Sequence, residues 1–285
     1  MHICYPTVFH SVSGQNRSFS TPLHFFSCIT KLHGSTIVCM KIVTYGEKGR
    51  RNVLILHGGG LGPWSVETLA ESLSEVYRVM VPYLPGHAGS DSHFVSIEET
   101  AKDLIRIIDK YMDGNIFLLM GLSLGADIAL EILSRRPEIA NHAIIESADV
   151  VPSRTPLPIR KYSIRLTYPL KRKRWFARIQ FYNLRLPEEM FDRYFQTIVD
   201  TEERDAERIT LAAGKYRLGD GIRRTQAKVH IVAGEKENRD ILNSANLIEM
   251  AIPNSVLHLL PNLYHGEASL RMDPKFMRII LELED

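Results

Sequence analysis

The runs NVLIL, YRVMV, NIFLLM, HAIIESA and KVHIVAG are short, and most are apolar at consecutive positions rather than at alternate ones. A strand with one face in water alternates. A strand covered on both faces does not, and that is the pattern of a parallel sheet between two helical layers. The stretches between these runs have helical spacing. Residues 96–112 are the clearest: Ser96 is followed three positions later by Glu99, a capping box, and Ile97, Ala101, Leu104, Ile105 and Ile108 form one stripe. Helices are also expected over 63–76, over 124–137 up to Pro137, over 238–252 and near 271–284, and strands over 35–46 and 255–261. Such alternation predicts an α/β fold, a mostly parallel sheet covered by helices on both faces.

The alternation breaks once. Residues 151–226 have little strand character and several helical runs. They read as a helical cap inserted between two strands, at the carboxyl edge of the sheet where such folds bind ligands. The core is then expected from 36–150 and 227–285. Charge divides the chain in a similar way. Eighteen Lys and Arg against nine Asp and Glu fall between Val151 and Lys228; the remainder has 17 against 24, and the whole chain is +2. A basic segment on an acidic body is local information and does not mark a nucleic-acid binder. All three cysteines, Cys4, Cys28 and Cys39, precede Met40, which excludes a disulfide framework or a Cys-ligated metal from the main body. No run reaches the ~18 consecutive apolar residues of a membrane-spanning helix. Residues 1–35, rich in Ser, Thr and His without a clear period, are expected to be a disordered leader or an upstream extension of the reading frame. They match a secretory signal poorly, so a cytoplasmic protein is expected.

One serine stands where the strand NIFLLM must turn into a helix, in Gly121-Leu122-Ser123-Leu124-Gly125. A G-x-S-x-G at such a junction is a tight elbow that holds a hydroxyl out toward a substrate. The plainer reading is a glycine-rich helix start that Ser123 caps. A serine hydroxyl is a weak nucleophile unless a base takes its proton. His265, between the last strand and the last helix, lies at the right edge of the sheet to do so. The other histidines fit less well: His57 shapes a glycine loop, His87 sits in a turn, His230 and His258 alternate inside strands, and His93 and His142 have no motif around them. A third group must hold the imidazole in its working tautomer. The turn after KVHIVAG offers Glu235, Glu237 and Asp240. Glu237 is preferred, because Glu235 is expected to turn back to the sheet edge and Asp240 suits the start of a helix; Asp149 is the rival. The glycines of HGGG let bare backbone N–H groups approach a developing oxyanion, and the expected pair is the N–H of Gly59 and the N–H of Leu124.

The order HGGG, LPGHAGSD, GLSLG, helical insertion, GEKE, YHGE resembles the α/β-hydrolase superfamily over residues 36–285. The resemblance implies Ser123 as nucleophile, His265 as base and Glu237 at the position where members usually carry an acid, most often Asp. Gly59 and Leu124 would donate to the oxyanion, and 151–226 would be the helical cap. The chain departs from the usual pattern in having Glu for Asp and a short N-terminus with room for one or two early strands. The expected activity is hydrolysis of a carboxylic ester or related small acyl substrate through an acyl-enzyme. The alternatives are C–C bond hydrolysis or cofactor-free haloperoxidase-like chemistry on the same fold, or a non-catalytic ligand-binding member. Nothing in the sequence demands a cofactor or a metal. The stretch KRKRWFAR (171–178) sets four cations beside Trp175 and Phe176. It reads as a solvated basic face, or as a cap that attracts an anionic substrate or lies against an anionic membrane surface.

Overall fold

A computed structural model of the protein describes residues 23–29 and 38–284. It contains eight strands: β1 (Leu23–Ile29), β2 (Val38–Tyr45), β3 (Asn52–Leu56), β4 (Arg78–Pro82), β5 (Ile116–Leu122), β6 (Ala140–Glu146), β7 (Lys228–Gly234) and β8 (Ser255–Leu260). The helices are α1 (Glu67–Leu73), α2 (Ile97–Tyr111), α3 (Leu124–Arg135), α4 (Leu157–Thr167), α5 (Arg174–Asn183), α6 (Phe191–Asp200), α7 (Glu203–Ala213), α8 (Arg239–Ala251), α9 (Glu267–Leu270) and α10 (Pro274–Leu281). All strands join one sheet in the order β1-β2-β4-β3-β5-β6-β7-β8. The pairs β1–β2 and β2–β4 are antiparallel and every other pair is parallel.

The continuous apolar runs are buried on both faces. On β3, Leu54 and Leu56 face a core shared with Leu104 and Ile107 of α2, Ile128 of α3 and Ile248 of α8. Val53 and Ile55 face the other core, with Leu69 of α1 and Phe276 and Ile279 of α10. The α2 stripe is shifted slightly from its expected position: Ile107 is buried in the core and Ile105 only borders it. Its cap forms as expected, with Ser96 Oγ accepting from the Glu99 N–H at 3.2 Å.

Two expectations are corrected. Strand β1 lies inside the segment expected to be a disordered leader, pairing with β2 from Leu23 opposite Thr44 to Ile29 opposite Val38. It is an edge strand, held to the sheet by its backbone ladder along one side. Residues 1–22 and 30–35 of the expected leader lie outside the described residues, as do 36 and 37. The single helix expected over 271–284 is α10 followed by a short 3-10 turn, with the separate α9 ahead of it.

Helices α4 to α7 run between β6 and β7. Phe181 of α5 and Phe191 and Tyr194 of α6 pack with Leu61, Leu122 and Leu270, which fixes these helices over the carboxyl ends of β3 and β5. On the far side, Asp205 of α7 accepts from the Phe94 N–H at 3.0 Å and meets His93 Nδ1 at 2.8 Å. No helix among the described residues is long and apolar enough to cross a membrane.

Candidate functional site

Ser123 stands between β5 and α3 with φ 53° and ψ −116°, in the left-handed half of backbone space. An L-residue pays for that conformation, and such strain is found where a side chain must be held in one direction. The neighbouring glycines explain how the turn closes. A Cβ on Gly121 would sit 2.3 Å from the Gly125 carbonyl oxygen, and one on Gly125 would sit 2.2 Å from that of Leu56. No side chain fits between the start of α3 and the strands beneath it. Ser123 makes no capping bond to the helix it precedes. Its hydroxyl points elsewhere: Oγ is 3.0 Å from His265 Nε2.

His265 lies in the loop between β8 and α9, and its Nδ1 is 2.8 Å from Glu237 Oε2. Burial lowers the imidazole's proton affinity. The hydrogen bond and charge of Glu237, with the charges of Glu146 and Asp149, outweigh that and hold its pKa above the usual value. Glu237 occupies the turn after β7, its N–H donating to the Gly234 carbonyl at 3.1 Å. Its carboxylate is removed from solvent. Ser123, His265 and Glu237 thus form a hydrogen-bonded line from hydroxyl to imidazole to carboxylate, across three loops at one end of the sheet.

The other candidate acids make other contacts, and Asp149 among them acts on His265 through its charge. Glu235 accepts from the Asn262 N–H at 3.3 Å and braces the turn after β8. Asp240 is in the first turn of α8, where Asn238 caps. Asp149 donates its N–H to Asp127 Oδ1 at 3.0 Å, and burial raises the pKa of its carboxyl. His57 is fully buried under the glycine loop: Nδ1 is 2.9 Å from the Gly58 carbonyl, and Nε2 accepts from the Leu84 N–H at 3.3 Å.

Two residues with no sequence signal complete the site. Ser147, just past β6 and also left-handed with φ 55°, donates its hydroxyl to Glu237 Oε1 and accepts from the Gly266 N–H at 3.2 Å. It ties the carboxylate to the loop that carries His265. Glu146, the last residue of β6, is buried, and Oε1 accepts from the Ser269 N–H at 3.2 Å. Burial, opposed only in part by Ser269 and by the charge of His265, pushes its pKa up to about 7. No motif surrounds either residue; their places at the end of β6, beside β5 and β7, are the one clue.

Ser123 opens into a cavity of about 480 Å³. Gly59 and Leu124 form its floor beside the serine, and Tyr168, Lys171, Phe176 and Ile198 are among its walls. The Gly59 and Leu124 N–H groups donate to no other backbone group among the described residues. Lys171 is buried against the Tyr168 ring and donates to the Thr201 carbonyl; burial lowers its pKa to about 8. A second hollow of about 660 Å³, lined by Arg178, Glu188 and Arg271, contains none of the three linked residues.

The family model described as "Alpha/beta hydrolase family" matches residues 53–276. An AB hydrolase superfamily protein from Gibberella zeae is 24% identical over 174 residues, 60% of this chain and 58% of that one. A pimeloyl-[acyl-carrier protein] methyl ester esterase from Aromatoleum aromaticum is 32% identical over 88 residues, 31% of this chain and 33% of the relative. The chain therefore spans less than two thirds of the length of either relative. Among solved structures, a thermophilic esterase from Thermogutta terrifontis superposes with a TM-score of 0.72 at 17% identity, covering 91% of this chain and 98% of that one. The family match takes in the strand before the glycine loop, the serine elbow and the loops bearing Glu237 and His265, and the chain belongs to the alpha/beta hydrolase family.

Proposed function

We propose that the protein is a serine hydrolase of small carboxylic esters, working through an acyl-enzyme. The observation that carries this reading is the line of contacts at 3.0 Å and 2.8 Å from Ser123 Oγ through His265 to Glu237, with a serine that does not cap its helix. Ser123 Oγ attacks the ester carbonyl carbon and passes its proton to His265 Nε2. The carbonyl electrons move onto oxygen, which meets the N–H of Gly59 and the N–H of Leu124; the latter heads α3, where the helix dipole favours negative charge. The bond to the alkoxy group breaks, and the leaving oxygen takes the proton from Nε2. A water then gives a proton to Nε2 and attacks the acyl carbon; the bond from that carbon to Ser123 Oγ breaks, Oγ takes the proton back from Nε2, and the carboxylic acid leaves. Glu237 holds the Nδ1–H tautomer and stabilises the imidazolium throughout. Helices α4 to α7, within 151–226, act as a cap whose inner side chains bound the acyl or alcohol portion of the substrate. The esterase resemblance of the Aromatoleum aromaticum relative agrees with ester chemistry.

The test is a panel of aryl esters of graded acyl length, with Ser123→Ala as blank and a fluorophosphonate probe as reporter. The expected result is labelling of Ser123 in the parent and a loss of about 10³- to 10⁶-fold in turnover in the variant. An unlabelled parent, or a variant with near-parental turnover, would overturn the proposal.

A further inference from the structure

The segment between β6 and β7 has an outer surface that the hydrolase reading leaves unused. Its inner side lines the cavity through Ile164, Tyr168, Phe176 and Gln180. Helix α4 nevertheless has no buried residue at all. Ile159, Tyr162 and Leu166 project into solvent, the last two 70% and 63% exposed. Helix α5 does the same with Trp175, Ile179 and Tyr182, at 60%, 53% and 76%. Spacings of three and four residues put each set on one ridge of its helix. Seven of the fourteen exposed large apolar side chains among the described residues fall between Leu157 and Tyr182. Scattered exposed apolar residues need no explanation, but a cluster of this density does.

Charge says what would cover it. Between Val150 and Pro187 there are ten Lys and Arg and no Asp or Glu. Lys161, Arg174 and Arg178 reach carboxylates of Glu207, Asp192 and Glu188. Arg154, Arg165, Arg172 and Lys173 are exposed and form no ion pair among the described residues. A second copy packed symmetrically, face against face, would bring the same cations against these. Residues 1–46 carry no acid and offer nothing to neutralise them. A nucleic acid would answer the charge but leave Ile159, Leu166 and Ile179 in water. A bilayer with anionic headgroups answers both, because apolar ridges with Trp and Tyr seat at the headgroup–acyl boundary while Lys and Arg meet phosphates.

We propose that the outer face of residues 157–182 docks on an anionic phospholipid bilayer, with the α4 and α5 ridges at the interface and Arg165, Arg172 and Lys173 on the lipid phosphates. Each cation at such a surface adds to the attraction, and losing all three together is expected to weaken binding by on the order of 100-fold. Docking would hold the segment that walls the cavity against the membrane. The inference does not rest on the esterase reading, and the Ser123→Ala variant binds as the parent does.

The experiment uses the full chain with phosphatidylcholine vesicles, with and without phosphatidylserine, read by co-sedimentation and tryptophan emission. Trp64 is held by Thr197 at 2.9 Å within the fold, so an emission shift reports Trp175, and Trp175→Phe is its control. The expected result is binding to the anionic vesicles, loss of at least about tenfold on pure phosphatidylcholine, and a blue shift absent from Trp175→Phe. The triple variant Arg165→Gln, Arg172→Gln, Lys173→Gln, and separately Ile159→Ser with Leu166→Ser, each weaken binding by about tenfold or more. These sites are exposed, and circular dichroism checks that the variants fold. No binding to anionic vesicles would overturn the proposal. So would binding with unshifted Trp175 emission and no effect of the Ile159 and Leu166 changes, the pattern of a merely basic surface.

Discussion

Both oxygens of Glu237 are committed, one to Ser147 and one to His265. That arrangement fixes the imidazole by orientation as well as by charge. Glu237→Gln keeps the shape and loses the charge, and its kcat is expected to fall by roughly 10³- to 10⁴-fold. The pH profile adds a sign. In the proposed mechanism His265 must be neutral to take the serine proton, so kcat/KM is expected to rise with pH through the His265 pKa, which is held above its ordinary 6.5. Without the Glu237 charge, burial gains weight, and the acidic limb of Glu237→Gln is expected to move to lower pH while the plateau drops. A limb that stays in place would mean that Glu237 does not act on this imidazole. Ser147→Ala frees one carboxylate oxygen and strands the Gly266 N–H; an approximately tenfold fall in kcat with KM little changed is expected, of the size of one hydrogen bond to a charged group. Ser123, Glu237 and His265 were legible in the sequence because each follows a recognisable strand. Ser147 and Glu146 were not, because their roles come from the alignment of β6 with β7 and from burial, and neither leaves a local pattern.

The elbow is an element-scale device, since it works by bringing a helix start down onto two strands. Gly125→Ala would force a Cβ to 2.2 Å from the Leu56 carbonyl. Backbone cannot yield there without lifting α3 off β3, so a loss of about 3 kcal/mol is expected, read by urea denaturation, with activity lost alongside. Gly49 is the internal comparison. Nothing lies within 4 Å of a Cβ built there, although its φ of 98° carries its own strain. At this scale the strands of the parallel sheet were plain in the sequence, because burial on both faces requires consecutive apolar residues. The helices of the insertion were plain only as helical character. Their individual bounds were not, since α4 buries nothing and has no apolar stripe tied to a core. Strand β1 was not anticipated: it is an edge strand that joins the sheet through its ladder with β2.

Across the whole molecule, the buried titratable groups pull stability in opposite directions with pH. His57 is neutral in the fold because Nε2 must accept from the Leu84 N–H. Burial, with the neighbouring His87, lowers its pKa from 6.5 to about 3. As pH falls from about 6.5 toward 3, the unfolded chain takes this proton first and stability is lost. Glu146 has the opposite sign. Its pKa is raised from 4.5 to about 7, so the native state holds a proton that the unfolded state has released, and stability is lost as pH rises from about 4.5 to 7. Differences between parent and variant isolate each group from the remaining carboxylates. Relative to His57→Gln, the parent is expected to lose on the order of 2 to 3 kcal/mol as pH falls from 6.5 to 4.5. Relative to Glu146→Gln, which can keep an acceptor oxygen for the Ser269 N–H, the parent is expected to lose a similar amount as pH rises through its own. Urea denaturation at intervals between pH 4.5 and 8 measures both. Parallel curves for parent and Glu146→Gln would place the Glu146 carboxyl at its ordinary pKa, and its charge would then face His265 across the whole working range of the enzyme. If His265 is the base of the proposed mechanism, its acidic limb and the basic loss of stability share the Glu146 carboxyl, and the Glu146→Gln variant is expected to shift that limb to lower pH while raising stability near neutrality.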